Sequence, residues 1–203
     1  MSRYIGPRNK ISRRFGKFIY GNKKYYFKRK YAPGQHGILK YRKKRKSYYS
    51  IQLLEKQKIK YMYGILEKQF KRMFNIVSKK KGITGELLLQ MCERRLDNVV
   101  YRIGYAISRI ASRQLVTHKH IKVNNKIINI PSYNIKVGDI ITLENKMKKN
   151  INILNTLIIN KKYIKNWLKW KEEIMGAECL RLPNINDIED KINTQLIVEW
   201  YSR

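Results

Sequence analysis

Acidic residues are missing from the start of this 203-residue sequence: none occurs before Glu55, while 17 lysines and arginines fall within the first 50 positions. Over the whole chain 46 Lys and Arg face 14 Asp and Glu, a formal charge of +32. A surplus of that size repels itself in any compact state, so a polyanion is the partner it calls for. The imbalance is local. Residues 151–203 hold eight basic and seven acidic residues, which suits one end to an anion and the other to packing on protein.

Cysteine is nearly absent. Cys92 and Cys179 lie too far apart in sequence for metal-ligand spacing and too few for a disulfide framework, which points to a reducing compartment. Long apolar runs are absent too, and nothing approaches the ~20 residues a membrane-spanning helix needs. An acid-free basic N-terminus also describes an organellar transit peptide. This one has few serines, several tyrosines and a Pro33-Gly34 turn, which argues against that reading, and without an apolar h-region it is no secretory signal. Catalytic vocabulary is thin: three histidines (His36, His118, His120), no Gly-x-x-x-x-Gly-Lys-Ser/Thr phosphate cradle and no paired carboxylates. His118 and His120, with no acidic neighbour in sequence, fit RNA contact or a turn better than proton transfer.

What is present is 43% hydrophobic residues, enough for a folded core. Residues 1–46 mix Lys, Arg, Tyr and Gly with little helical period and read as an extended arm with turns at Gly6-Pro7, Gly21-Asn22 and Pro33-Gly34. Tyr25, Tyr26, Phe27, Tyr31 and Tyr41 stand among the cations, where rings can stack on bases. The run Lys40, Arg42, Lys43, Lys44, Arg45, Lys46 suits phosphates.

From 47 to 81 the spacing of Ile51, Leu54, Ile59, Met62, Ile65, Leu66, Phe70, Met73, Phe74 and Val77 predicts helix, divided near Gly64. Lys56, Lys58, Lys60, Lys68, Lys71 and Arg72 occupy the other faces with only Glu55 and Glu67 to pair with them. Thr84 is an N-cap candidate. A single helix is expected over 86–103, with Leu88, Cys92, Leu96, Val99 and Ile103 inside a stripe of about 80°. Arg95, Asn98 and Arg102 are expected to point out beside it, and Cys92 to be core.

Gly104 should end that helix and Ser108 start another through about His118, with Ile107, Ala111 and Leu115 inward. Arg109, Arg113 and Thr117 then form an outer stripe. Two arginines one turn apart repel by roughly 0.2–0.5 kcal/mol in an isolated helix, and an anion across both would reverse the sign. Asn124-Asn125 between His120–Val123 and Lys126–Ile130 reads as a β-hairpin turn. Gly138-Asp139 leads into a further strand, Ile140–Leu143. Two short helices, a hairpin and a strand make a compact module carrying His118, His120, Lys122 and Asn124 on its polar face.

The order Arg94-Arg95-Leu96-Asp97-Asn98-Val99-Val100-Tyr101-Arg102, Ser112-Arg113-Gln114-Leu115-Val116, His120-Ile121-Lys122-Val123-Asn124, Ile130-Pro131-Ser132-Tyr133 and Gly138-Asp139 resembles the S-four RNA-binding module. That module also occurs in some RNA-modifying enzymes. The flanks are similar to the S-four family of small-subunit ribosomal proteins: Ser2-Arg3-Tyr4-Ile5-Gly6-Pro7-Arg8, Pro33-Gly34-Gln35-His36-Gly37, Glu55-Lys56-Gln57-Lys58, Tyr63-Gly64, Gly82-Ile83-Thr84-Gly85 and Val198-Glu199-Trp200-Tyr201-Ser202-Arg203. The likeness runs in order over nearly the whole chain.

The resemblance implies an α+β, mostly helical fold. A basic arm (1–46) precedes a helical domain (47–94), an inserted module (95–145) and a return segment whose tail packs on the helical domain (146–203). It implies a structural, non-enzymatic role: binding small-subunit ribosomal RNA at a multi-helix junction of the 5′ domain, starting body assembly and contributing to translational accuracy. Expected partners are that RNA, the proteins S-five and S-three, and messenger RNA near its entrance, with no membrane. A free RNA chaperone or antitermination factor is the alternative, and an RNA-modifying enzyme a disfavoured one. Expected RNA contacts are Arg3, Tyr4, Arg8, Arg13, Arg14, Lys43, Lys44, Arg45, Lys56, Lys58, Arg72, Arg95, Arg102, Arg109, Arg113, His118, His120, Lys122 and Asn124. Tyr201 and Arg203 are expected to meet protein.

Alanine at both Arg109 and Arg113 is expected to weaken RNA binding with the fold intact. Many bacterial members hold zinc through cysteines in the arm. This arm has none, so no zinc or other cofactor is expected. Lys119 and Asn125 replace glycines common in the family, and residues 147–171 match its pattern poorly. Abundant Ile, Lys and Asn indicate A+T-rich coding DNA, and the Met-Ser-Arg-Tyr start resembles plastid members. An organelle-encoded ribosome, plastid or apicoplast, is therefore expected, with a bacterial cytoplasm as the alternative.

Overall fold

The computed structural model describes residues 4–19, 23–37, 47–160, 164–188 and 192–202. The chain forms two compact units, Met1–Gly85 with Ile192–Arg203, and Glu86–Lys191.

In the first unit the arm is not simply extended. It contains two helices, α1 (Arg8–Phe15) and α2 (Lys23–Lys28). Pro7 precedes α1, where its missing N–H costs nothing. Gly16 ends α1 at φ 65°, the left-handed conformation that favours glycine. Ile11 and Ser12 form the buried side. The turn at Gly34 (φ 102°) is present, whereas Gly21-Asn22 and the basic run 38–46 lie outside the described residues.

Two helices follow, α3 (Tyr48–Met62) and α4 (Glu67–Val77), parted as expected at Gly64. Ser47 caps α3 by accepting from the Ser50 N–H. Phe70, Met73, Phe74 and Val77 bury one face of α4, leaving Lys68, Lys71 and Arg72 exposed. The helix Thr194–Tyr201, called α10 below, packs on α3.

The second unit holds further helices and the sheet. A single helix over 86–103 does not form. Helix α5 (Thr84–Glu93) stops and α6 (Leu96–Ile103) starts afresh after Arg95. The cause is non-local, because residues 131–135 take the backbone groups at the join. The Leu96 N–H donates to Tyr133 O at 2.8 Å, the Asp97 N–H to Pro131 O at 3.1 Å, and the Ile135 N–H to Arg94 O at 2.9 Å. The stripe stays in phase across the break, with Leu88, Cys92, Leu96, Val99 and Ile103 all buried.

Gly104 ends α6 at φ 96°, and Ser108 caps α7 (Arg109–Thr117) through the Ala111 N–H. The buried residues of α7 are Ser112 and Val116, and Leu115 packs partly buried against the same core as expected, whereas Ile107 does not face inward. Ile107 precedes the cap and is 82% exposed.

The strands are β1 (Ile121–Val123), β2 (Lys126–Ile127), β3 (Ile140–Leu143), β4 (Leu168–Lys171) and β5 (Gly176–Cys179). They form one antiparallel sheet in the order β2-β1-β3-β5-β4. Asn124 and Asn125 take φ 48° and 64°, the pair of positive values a type I′ hairpin requires. Strand β2 is shorter than the expected 126–130. Helices α8 (Asn145–Lys148) and α9 (Ile151–Asn160) lead into β4.

The division 95–145 and 146–203 therefore needs correction. Strand β5 pairs with β3, so residues through Cys179 complete the module's own sheet, and the compact unit that holds it runs to Lys191 while Ile192–Arg203 group with the helical unit. Leu96, Val99, Ile103, Val116, Ile121, Ile141, Leu143, Leu157 and Trp167 share one core.

Candidate nucleic-acid interface

Four arginines in α6, α7 and the join before them are organised by two carboxylates. Asp97 Oδ1 accepts from Arg95 Nε at 3.1 Å, and Asp97 Oδ2 accepts from Arg95 at 2.7 Å and Arg113 at 3.3 Å. Glu93 takes a two-pronged contact from Arg102, at 2.7 and 3.1 Å. Its Oε2 also accepts from Asn98 Nδ2 at 2.7 Å, and Asn98 Oδ1 accepts from Arg109 Nε at 2.8 Å. Arg109 lies 4.7 Å over the Tyr101 ring. Glu93, Arg95, Asp97 and Asn98 are buried, so Arg95 and Asn98 do not point out beside the core. A buried carboxylate is tolerable only when paired and hydrogen-bonded, and these are.

The Arg109–Arg113 stripe thus meets carboxylates from inside the protein. Asp97 bonds Arg113, while Glu93 reaches Arg109 through Asn98. Alanine at both arginines would strip partners from buried groups, so the expectation of an undisturbed fold is corrected. The sequence carried a signal for this network, since Glu93 and Asp97 alternate with arginines in a chain poor in acids. The orienting role of the two acids and of Asn98 was nevertheless missed.

Beyond the network, His118 is exposed and Lys122 half-buried on the same unit. The His118 and His120 rings stand 5.9 Å apart, and Glu144 approaches His120 Nδ1 to 3.9 Å, beyond hydrogen-bond range. Asn124 is spent on the fold: its amide donates to Asp139 Oδ1 at 2.8 Å and its Oδ1 accepts from the Ile140 N–H at 3.0 Å. Lys119, at the turn between α7 and β1, is held at φ 64°.

In the first unit the exposed cations among the described residues include Arg8, Lys10 and Arg14 on α1, Lys17 after it, Lys24 and Lys28 on α2 with Arg29 and Lys30 following, Lys68, Lys71 and Arg72 on α4, and Lys79, Lys80 and Lys81 after it. Arg13 is tied down, donating to the carbonyls of Tyr31 at 3.0 Å and Ala32 at 3.3 Å with its guanidinium over the Tyr31 ring. Tyr4 sits edge-on to Tyr61. Lys56 and Lys58 are buried rather than on an outer face. Lys56 pairs with Glu67 at 2.7 Å and lies 4.8 Å over the Trp200 ring, and Lys58 reaches Glu55 at 3.4 Å. Arg3, Lys43, Lys44, Arg45 and Arg203 lie outside the described residues. Tyr201 stacks on Phe74 at 4.6 Å.

The described residues include no group of three or more His, Cys, Asp or Glu placed to hold a metal, and no helix long and apolar enough to cross a membrane.

The family model for the ribosomal protein S4/S9 N-terminal domain matches residues 3–93, and the S4 domain model matches residues 94–141. The small ribosomal subunit protein uS4 of Amoebophilus asiaticus is 55% identical over 203 residues, covering all of both chains. The chain belongs to the uS4 family. The uS4 proteins of Karelsulcia muelleri and Christiangramia forsetii are 53% and 49% identical, again over full length. The uS4 family is a structural ribosomal one, not an enzyme family. The join between its two matched domains, at 93 and 94, coincides with the break between α5 and α6, where the arginine network begins.

Proposed function

We propose that this chain is a structural protein of the small ribosomal subunit and a primary binder of its ribosomal RNA. The observation that carries the reading is identity of about half the residues, over the entire length, to proteins bearing that name. The charge supports it: a net +32 on a folded chain, with cations displayed on α1, on α4 and beside α7. Folded RNA offers phosphates and 2′-hydroxyls rather than a readable major groove, so dispersed cationic faces suit a junction of several helices.

In this reading the RNA is the multi-helix junction of the 5′ domain, and binding there starts body assembly. Proteins S-five and S-three and messenger RNA near its entrance are neighbours, through which the chain contributes to translational accuracy. RNA contacts fall to Arg8, Arg14, Arg72, Arg109, Arg113, His118, His120 and Lys122, with Arg3, Lys43, Lys44 and Arg45 from the arm. Lys56, Lys58, Arg95, Arg102 and Asn124 act through the fold, as their internal partners indicate. No zinc is required, because residues 1–46 contain no cysteine to hold it.

The ribosome concerned is bacterial or organellar. The organisms named for the relatives are bacteria, which favours the first, and the Ile-, Lys- and Asn-rich composition is compatible with both.

The test is mass spectrometry of ribosomal fractions from a sucrose gradient. The chain should be present in small subunits at the stoichiometry of the other ribosomal proteins, and its absence there would refute the reading. Binding of the purified chain to a 5′-domain transcript should weaken steeply with salt, by roughly 0.7–0.9 log units per log unit for each phosphate neutralised.

A further inference from the structure

We propose that the outer face of α9 is a docking surface for a second protein of the small subunit, one that presents an apolar strip rimmed by Asp and Glu. The proposal rests on the ribosomal reading above and adds to it a face that does not meet RNA.

Helix α9 is apolar on both sides. Asn150 starts it, with its Oδ1 accepting from the Asn152 N–H at 3.0 Å. Ile153 and Leu157 enter the core of the unit, and Asn160 closes against Gly104, donating to its carbonyl at 3.5 Å. Ile151, Ile158 and Ile159 are left outside at 71%, 73% and 68% exposure. At 100° per residue they share one face of about 120° with Asn152 and Asn155. Ile107, three residues beyond the Gly104 contact in sequence, is 82% exposed as well. A helix that is hydrophobic all round belongs in an interior, and an apolar patch left at a surface marks an interaction site.

The charge pattern says what fits there. The chain is 30% charged, yet residues 150–160 hold no charged side chain. Eight lysines and no acid lie between Glu144 and Glu172, among them Lys148 and Lys149 just before the face and Lys161 and Lys162 just after it. An apolar centre with a cationic rim is complemented by an apolar centre with an acidic one. RNA is a poor occupant, because residues 150–160 offer no cation to a phosphate and no ring to a base. A second copy would set lysines against lysines on chains of net charge +32. Lipid-binding helices commonly insert aromatic residues, and α9 has none. The S4 domain match ends at residue 141, so this face lies beyond the matched RNA-binding module.

The experiment uses the full chain in three states: free, bound to a 5′-domain rRNA transcript, and in complete small subunits. A photoactivated carbene reagent labels exposed side chains, and mass spectrometry reads the peptide carrying Ile158 and Ile159 against one carrying the exposed Glu173. Labelling of the isoleucine peptide should fall roughly tenfold in complete subunits alone, because the centre of an interface packs as tightly as a protein interior. Ile151→Asp, which puts a charge on the face without touching the core, should restore the labelling, and Ile151→Leu should not. Benzoylphenylalanine in place of Ile158 should crosslink, on irradiation of the subunits, to a protein segment whose apolar residues are flanked by Asp or Glu.

Equal protection by the transcript would give the face to RNA. Protection of the free chain that grows with its concentration would give it to a second copy, and stronger protection on phosphatidylglycerol vesicles would give it to lipid. Each of these overturns the proposal, as do unchanged labelling in subunits, indifference to Ile151→Asp and a crosslink to a segment without acids. Absence of the chain from small subunits would instead overturn the ribosomal reading on which the proposal stands.

Discussion

The Tyr201 hydroxyl donates to Glu67 Oε1 at 2.9 Å. One carboxylate at the start of α4 thereby fastens α10 to the helices it lies against. Glu67 also holds Lys56 at 2.7 Å and Lys60 at 3.3 Å, and Glu199 adds a second tie from α10 by accepting from Tyr48 and Gln52.

This pairing has a pH signature. Burial raises the Glu67 pKa, but hydrogen bonds from Lys56 and Tyr201 and the charges of Lys56 and Lys60 outweigh it, leaving a net lowering from 4.5. The folded state then binds fewer protons than the unfolded state in the acid range. The stabilisation is full above the unfolded value and is lost as pH falls through the folded one. Urea midpoints should drop on acidification below about pH 4.5 more steeply for the parent chain than for Glu67→Gln. Parallel curves would show that Glu67 is not the source. Tyr201→Phe, which removes one bond to a charged acceptor, should cost about 1–2 kcal/mol at neutral pH.

Two backbone positions should respond in opposite directions. Gly104 has φ 96°, and a Cβ built there would lie 2.7 Å from the Asn160 Cβ, so Gly104→Ala should destabilise by about 1–3 kcal/mol. Lys119 holds φ 64° without being glycine, and Lys119→Gly should stabilise by about 0.5–1 kcal/mol. Denaturant midpoints at unchanged slope are the measurement. Shifts of the same sign in both variants would contradict the account.

Cys92 is fully buried, and burial pushes its thiol up to about 12. The thiolate is the reactive form, so iodoacetamide near pH 8 should leave Cys92 unmodified in the native chain and label it in urea. Mass spectrometry of the peptide containing Cys92 reads the result, and fast native labelling would mean that the α5–α6 core opens readily.

Chelation should have no effect. With no cysteine in residues 1–46, EDTA treatment is expected to leave the thermal midpoint and RNA affinity unchanged. A fall in either would reveal a metal requirement.

Local chemistry was the part readable from the residues. Asn124-Asn125 announced its hairpin because few residue pairs accept two positive φ values in succession, and Gly104 and Ser108 marked a helix end and a helix cap. What escaped depended on distant partners. The apolar period from Cys92 to Leu96 continues in phase, so nothing in it discloses that residues 131–135 divide the helix at Arg95. Lysines read as an outer face were buried because Glu67 and Trp200, far along the chain in the second case, accommodate Lys56. The inward side of α7 is legible only in part: Leu115 packs against the core as its spacing suggests, whereas the buried Ser112 is polar and the apolar Ile107 lies outside the helix. Strands β4 and β5 were not foreseen, and β5, Gly176-Ala177-Glu178-Cys179, holds no β-branched or aromatic residue to announce it.

The docking of α10 on α3 sets an order on biosynthesis. Residues 86–191 are contiguous and can condense as soon as they emerge, since domains tend to fold as units during translation. Helix α3 emerges earlier yet must wait, its partner surface uncovered, until residues 194–201 have been translated behind the entire second unit. In a nascent polycation, that interval is when a chaperone or the growing RNA itself would have the most to shield.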